Sequence, residues 1–127
     1  MRRVRSINTP IGELSLQPIP MADVRVSLVG PSTDARFVIS NVGDGIARDV
    51  HFEIDQEHGK MSPLVQGDYD EKLPIKVLRN GDRVELMAGL TFGTGVIFDA
   101  RWKWCDENGS PHEERVERIS LQRFPPT

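Results

Sequence analysis

From Asp23 to Leu121 the chain alternates apolar and polar residues with the two-residue period of half-buried β-strands. Val24, Val26 and Leu28 alternate with Asp23, Arg25 and Ser27, and this segment stops at Gly30-Pro31. Ala35 to Asn41 follows, with Phe37 and Ile39 on one face. A corner at Gly43-Asp44-Gly45 leads into Val50, Phe52 and Ile54, facing inward against Asp49, His51 and Glu53. Asn80-Gly81 is a turn signal that launches Val84 and Leu86, because both residues tolerate positive φ. Gly93 and Gly95 open the longest strand, in which Val96, Phe98, Ala100, Trp102 and Trp104 share one face and Asp99, Arg101 and Lys103 the other. The turn Asp106-Glu107-Asn108-Gly109 returns the chain through Val116, Ile119 and Leu121. Val116 is out of phase with the other two, which predicts a bulge near Glu117-Arg118.

Two regions break the pattern. Residues 55–77 hold Gly59, Pro63, Gly67 and Pro74 and read as a crossing between sheets with one or two short strands. Residues 1–21 form a proline-containing leader, read either as a short edge strand or as a polyproline-like tail. The division expected is thus a leader (1–21), one β-domain (22–123) and a tail (124–127). No segment keeps a helical period, so little helix is expected, and the strand count predicts a two-sheet sandwich.

Composition narrows the function classes. Sixteen Lys and Arg against nineteen Asp and Glu give a net charge of -3, which argues against a broad phosphate-binding surface and so against nucleic acid as a partner. The one concentrated basic stretch, Arg2, Arg3 and Arg5, reads as a solvated end. The single cysteine, Cys105, cannot form an internal disulfide, and a cytoplasmic location is expected. Pro10, Glu13, Pro18 and Pro20 interrupt any signal-peptide core. The uncharged run Leu86–Phe98 is thirteen residues with three glycines; a membrane helix needs about 20.

The spacing Asn41-x-Gly43-x-Gly45-x-Ala47-x-x-Val50, followed by Leu78-x-x-Gly81 ahead of Val84 and Leu86, resembles bacterial immunoglobulin-like domains of the CARDB type. The resemblance covers Asp23 to Leu121 in element order, and both matching motifs are turn signals. It implies an all-β, immunoglobulin-like antiparallel β-sandwich of about seven strands, acting as a non-catalytic accessory module. In such a fold the third and sixth strands are antiparallel neighbours. Asp49, His51 and Glu53 would then lie beside Asp99, Arg101 and Lys103 as a mixed-charge surface.

Candidate chemistry is sparse. Gly43-Asp44-Gly45-Ile46-Ala47-Arg48 starts like a dinucleotide fingerprint, but Arg48 stands where the third glycine belongs and a strand follows, not a helix. His51 and Glu53, with Asp55 and His58 nearby, are residue types that hold transition metals. Asp68-Tyr69-Asp70-Glu71 lacks the ligand loop of a calcium site. Cys105 and His112 flank the last turn, and would form a nucleophile with its base if they met across the hairpin mouth. Asn108-Gly109-Ser110 is a glycosylation sequon. No residue is assigned a catalytic, cofactor-binding or metal-binding role. The expectation is a non-catalytic module for protein interaction or structural spacing, its partner another protein or a second copy. The rival is a small enzyme using His51 and Glu53 with a metal, or Cys105 with His112.

Overall fold

The computed structural model describes residues 4–8, 14–55, 60–91 and 94–122, with side chains from residue 19 onward. Nine strands, one α-helix and a 3-10 turn at Ser32–Asp34 are described: β1 (Val4–Asn8), β2 (Leu14–Pro18), β3 (Val24–Val29), β4 (Ala35–Asn41), β5 (Ala47–Asp55), α1 (Gln66–Lys72), β6 (Ile75–Leu78), β7 (Arg83–Ala88), β8 (Ile97–Cys105) and β9 (Arg115–Gln122). β1 and β2 pair with each other as an antiparallel hairpin, so the leader holds two strands where one edge strand or a tail was expected. The other seven form one sheet in the order β6-β5-β8-β9-β3-β4-β7, which curls until it is nearly a barrel.

The sheet is mixed, not purely antiparallel. β3 and β9 run parallel, joined through only Leu28↔Leu121 and Val29↔Gln122. That short seam divides the sheet into a β7-β4-β3 leaf and a β9-β8-β5-β6 leaf. Between the leaves lies the core predicted from the alternation. Phe37, Phe52, Leu86, Trp102 and Trp104 are buried, and Phe37 packs its ring on Phe52 at 5.4 Å and on Phe98 at 6.0 Å. Each such side chain contributes on the order of 1.5–3 kcal/mol on burial.

Two expectations need correction. Val96 precedes the strand and is exposed, so the inward face of β8 begins at Phe98. No bulge falls at Glu117-Arg118: the β8–β9 register is unbroken from Ile97↔Ser120 to Trp102↔Arg115. Val116 simply points outward opposite Arg101, leaving Arg115 and Glu117 on the inward phase where β3 and β9 have splayed apart. The register shift lies in β5, between Arg48 and His51, where Asp49 takes φ 52. That extra residue restores Val50 and Phe52 to the core.

The crossing 56–74 contains α1, which the broken apolar period concealed. The helix seals the outer edge of the barrel. Leu64 bridges Ala88, and Gly89 N–H donates to Pro63 O at 2.8 Å. Beyond them Met87 N–H donates to Asp68 Oδ2 at 2.8 Å, and Lys72 Nζ donates to Glu85 O at 2.8 Å. Asp68 and Lys72 are themselves paired one helical turn apart. Tyr69 Oη reaches the other leaf, donating to Phe52 O at 2.6 Å. The β7 edge, which would otherwise offer free N–H and C=O groups to another chain, is thus occupied by α1 side chains and by the main chain at Pro63 and Leu64.

Asp68 gives this seal a pH dependence. The hydrogen bond from Lys72, then that from Met87 N–H, holds its carboxyl below the usual 3.8. A lowered folded-state value stabilises above the unfolded one and loses that contribution as pH falls through it. Asp68→Ala should cost about 1–2 kcal/mol near neutrality, mostly for the unpaired Met87 amide, since an exposed ion pair adds little. In urea titrations the gap between wild type and variant should narrow as pH falls below about 4, leaving the part due to the Met87 amide.

Candidate functional site

The glycine corner is a structural node. Asn41, at the end of β4, is buried and uses its whole carboxamide. Its Oδ1 accepts from Asp23 N–H and from Gly43 N–H, each at 3.0 Å. Its Nδ2 donates to Gly45 O at 2.8 Å and to Leu78 O at 2.9 Å. The main chain joins in: Asn41 N–H donates to Asp82 O at 3.1 Å, and Gly81 N–H to Asn41 O at 2.9 Å. Asn80 Nδ2 donates to Gly43 O. The two turn motifs, 37 residues apart from Asn41 to Leu78, therefore meet at one side chain. Close approach explains the glycines. A Cβ on Gly43 would lie 2.2 Å from Met21 O, and one on Gly45 2.8 Å from Ala22 N.

Beside the node is a polar cleft of about 470 Å³ lined by Met21, Asp23, Val42, Asp44, His112 and Arg115, among others. Arg115 spans it. Its Nη1 donates to Asp23 Oδ1 at 2.7 Å and to Val24 O at 3.2 Å, and its guanidinium lies 5.2 Å from the Trp104 ring centre. Arg25 donates to the other oxygen, Asp23 Oδ2, at 3.0 Å. Burial pushes the Asp23 carboxyl up, but the hydrogen bonds and charges of Arg25 and Arg115 together hold it below the ordinary value. This cluster fastens the splayed ends of β3 and β9, and both arginines spend their charge on one carboxylate. The alternation placed Asp23 outside its strand's apolar face, but gave no sign that Arg115, 92 residues away, would reach it.

Cys105 and His112 do not form a pair. Cys105 lies on the outward phase of β8, and its bridge partner across the turn is Pro111. His112 turns to the opposite face, where its ring stacks on Trp104 at 4.0 Å and 15°. Its Nδ1 is 2.8 Å from Glu113 O, which fixes that nitrogen as the protonated one. Adjacent strand positions point to opposite sides, so residues 104 and 105 cannot both face the imidazole.

His51 and Glu53 share the outward face of β5, as their spacing required. The register sets His51 opposite Lys103, Glu53 opposite Arg101 and Asp55 opposite Asp99. Arg101 gathers the acids: Glu53 at 2.8 Å, Asp55 at 2.7 Å and Glu114 at 4.0 Å. Arg118 pairs with Asp99 at 3.0 Å. The expected mixed-charge surface is present from His51 onward, where Glu53, Asp55, Asp99 and Glu114 are engaged by arginine, while Asp49 falls in the register shift and has no partner position on β8. His58 lies outside the described residues. Among those described, no group of three or more His, Cys, Asp or Glu side chains is placed to hold a metal. Asp68 and Tyr69 of the acidic run are spent on the α1 seal, and Asp70 accepts from Gln66 Nε2 at 2.7 Å.

These features define a β-protein built on one mixed, nearly closed seven-strand sheet. No family model, no curated protein and no solved structure matches the chain. Among the described residues no helix is long and apolar enough to cross a membrane.

Proposed function

We propose that this chain is an immunoglobulin-like sandwich, similar to the CARDB type, that serves as a non-catalytic module for binding another protein. The division into β7-β4-β3 and β9-β8-β5-β6 supports the fold reading. With β3 to β9 taken as seven sandwich strands, the fourth pairs with the third, where constant-type immunoglobulin domains pair it with the fifth. The meeting of both turn motifs at Asn41 supports it further, since the two segments that carry the resemblance are neighbours in space.

The observation that carries the binding role is a set of exposed apolar side chains, two of which share a depression. Met61, Val96 and Ile97 are 64%, 46% and 56% exposed. Met61 and Ile97 line one depression together with Lys60, Asp55 and Asp99, and Arg118 lies beside it. An apolar centre ringed by charges of both signs is the anatomy of a protein contact. The occupant this fits is a folded protein presenting its own apolar patch. Capture from the source cell should identify that protein. Once purified, it should bind the doubly substituted Met61→Lys, Ile97→Lys chain at least about tenfold more weakly than wild type, with the unfolding midpoint unchanged. Equal binding of the two chains would remove this surface from the proposal.

A further inference from the structure

The chain contains two Asn-Gly pairs in turns, Asn80-Gly81 and Asn108-Gly109, and the fold ties down the side-chain amide of the first but not of the second. At the first, the side-chain nitrogen of Asn80 donates to Gly43 O, and Gly81 N–H donates to Asn41 O at 2.9 Å. The amide to be lost and the nitrogen that would attack are both tied into the node around buried Asn41. At the second, Asn108 and Gly109, exposed like Asn80 and Gly81, form the tip of the β8–β9 hairpin. Asn108 Oδ1 accepts from Ser110 N–H at 3.0 Å, while its Nδ2 has no hydrogen-bond partner among the described residues. Gly109 stands at φ 89 and Gly81 at φ 82, with open space where a Cβ would be at both, so the two sites differ in how the asparagine amide is held. Only the turn hydrogen bond from Gly109 N–H to Asp106 O, at 2.8 Å, must open.

We infer that Asn108 is a site of spontaneous self-modification, converted through a succinimide to aspartate and isoaspartate while Asn80 is protected. The Gly109 nitrogen gives its proton to solvent base, and its electron pair forms a bond to Asn108 Cγ. The Ser110 N–H on Oδ1 draws electron density from Cγ and stabilises the oxyanion of the tetrahedral intermediate. That intermediate collapses by breaking the Cγ–Nδ2 bond, and the departing nitrogen takes a proton from water and leaves as ammonia. Water then opens the imide. Addition at Cγ restores the main chain with aspartate at 108, and addition at the main-chain carbonyl gives isoaspartate. Either product adds a negative charge beside Asp106 and Glu107, next to the Glu107 carbonyl that accepts from Arg48 Nε at 3.1 Å.

The test is to age the folded protein at mildly alkaline pH and follow peptide masses, with a sample in urea as the unfolded reference. The peptide carrying Asn108 should gain one dalton in the folded protein, faster at higher pH, while the peptide carrying Asn80 stays unchanged. In urea both should gain it. Asn108→Gln should abolish the gain at that position, because its side chain would have to close a larger ring. Two results overturn the inference. One is an Asn108 peptide that stays unmodified when folded over a period sufficient in urea. The other is an Asn80 peptide that keeps pace with it when folded.

Discussion

Asn41→Ala should lower stability by about 3–5 kcal/mol, a loss that belongs to the rare severe class of point substitutions. The substitution leaves four main-chain groups without their partner: the amides of Asp23 and Gly43 and the carbonyls of Gly45 and Leu78. Each unmade buried hydrogen bond costs roughly 1–3 kcal/mol, with partial recovery where water can enter. Asn41→Asp is the sharper variant. It keeps both accepting bonds of Oδ1 but turns the second oxygen, charged, toward two carbonyls, so it should be no milder than alanine. Urea unfolding would show both as a lowered midpoint at unchanged slope. An aspartate variant of wild-type stability would mean that the carboxamide does not join the corner to the β6–β7 turn.

Most of the strand framework was legible in the sequence, because a two-residue period is visible wherever one face is buried and the other wet. Val50, Phe52 and Ile54 against His51 and Glu53 fixed both the strand and its outward face, and the neighbouring strand supplied Arg101 and Lys103 as expected. What stayed hidden depends on partners distant in the chain. α1 is seven residues long and half its side chains serve the barrel edge, so it carries no apolar stripe to detect. The outward direction of Val116 follows from where β3 leaves β9, a fact of the assembled sheet. Asn41 could be seen as a turn residue, but two of its four side-chain hydrogen bonds link segments 18 and 37 residues away. Cys105 and His112 were close in sequence, and pleating alone separated them.

The parallel seam makes Trp102 the residue whose loss should be felt most. β3 and β9 are joined by two residue pairs, and where the strands splay it is side chains that satisfy Val24 O: Trp102 Nε1 at 2.8 Å and Arg115 at 3.2 Å. Trp102 is also buried beside Phe52, its register partner in β5. Trp102→Ala should therefore cost about 3–5 kcal/mol for the cavity, with the indole hydrogen bond lost as well. Trp102→Phe separates the two contributions: it keeps much of the packing but removes the donor, and should cost about 1–3 kcal/mol. Any core truncation lowers the midpoint, so the seam needs its own readout. Amide exchange supplies one. In Trp102→Phe the β3 amides should exchange faster than in a Phe52→Leu variant, which thins the same core without touching Val24 O. Equal acceleration across all strands in both variants would show that the indole acts only as core volume, and that the two parallel pairs join the leaves unaided.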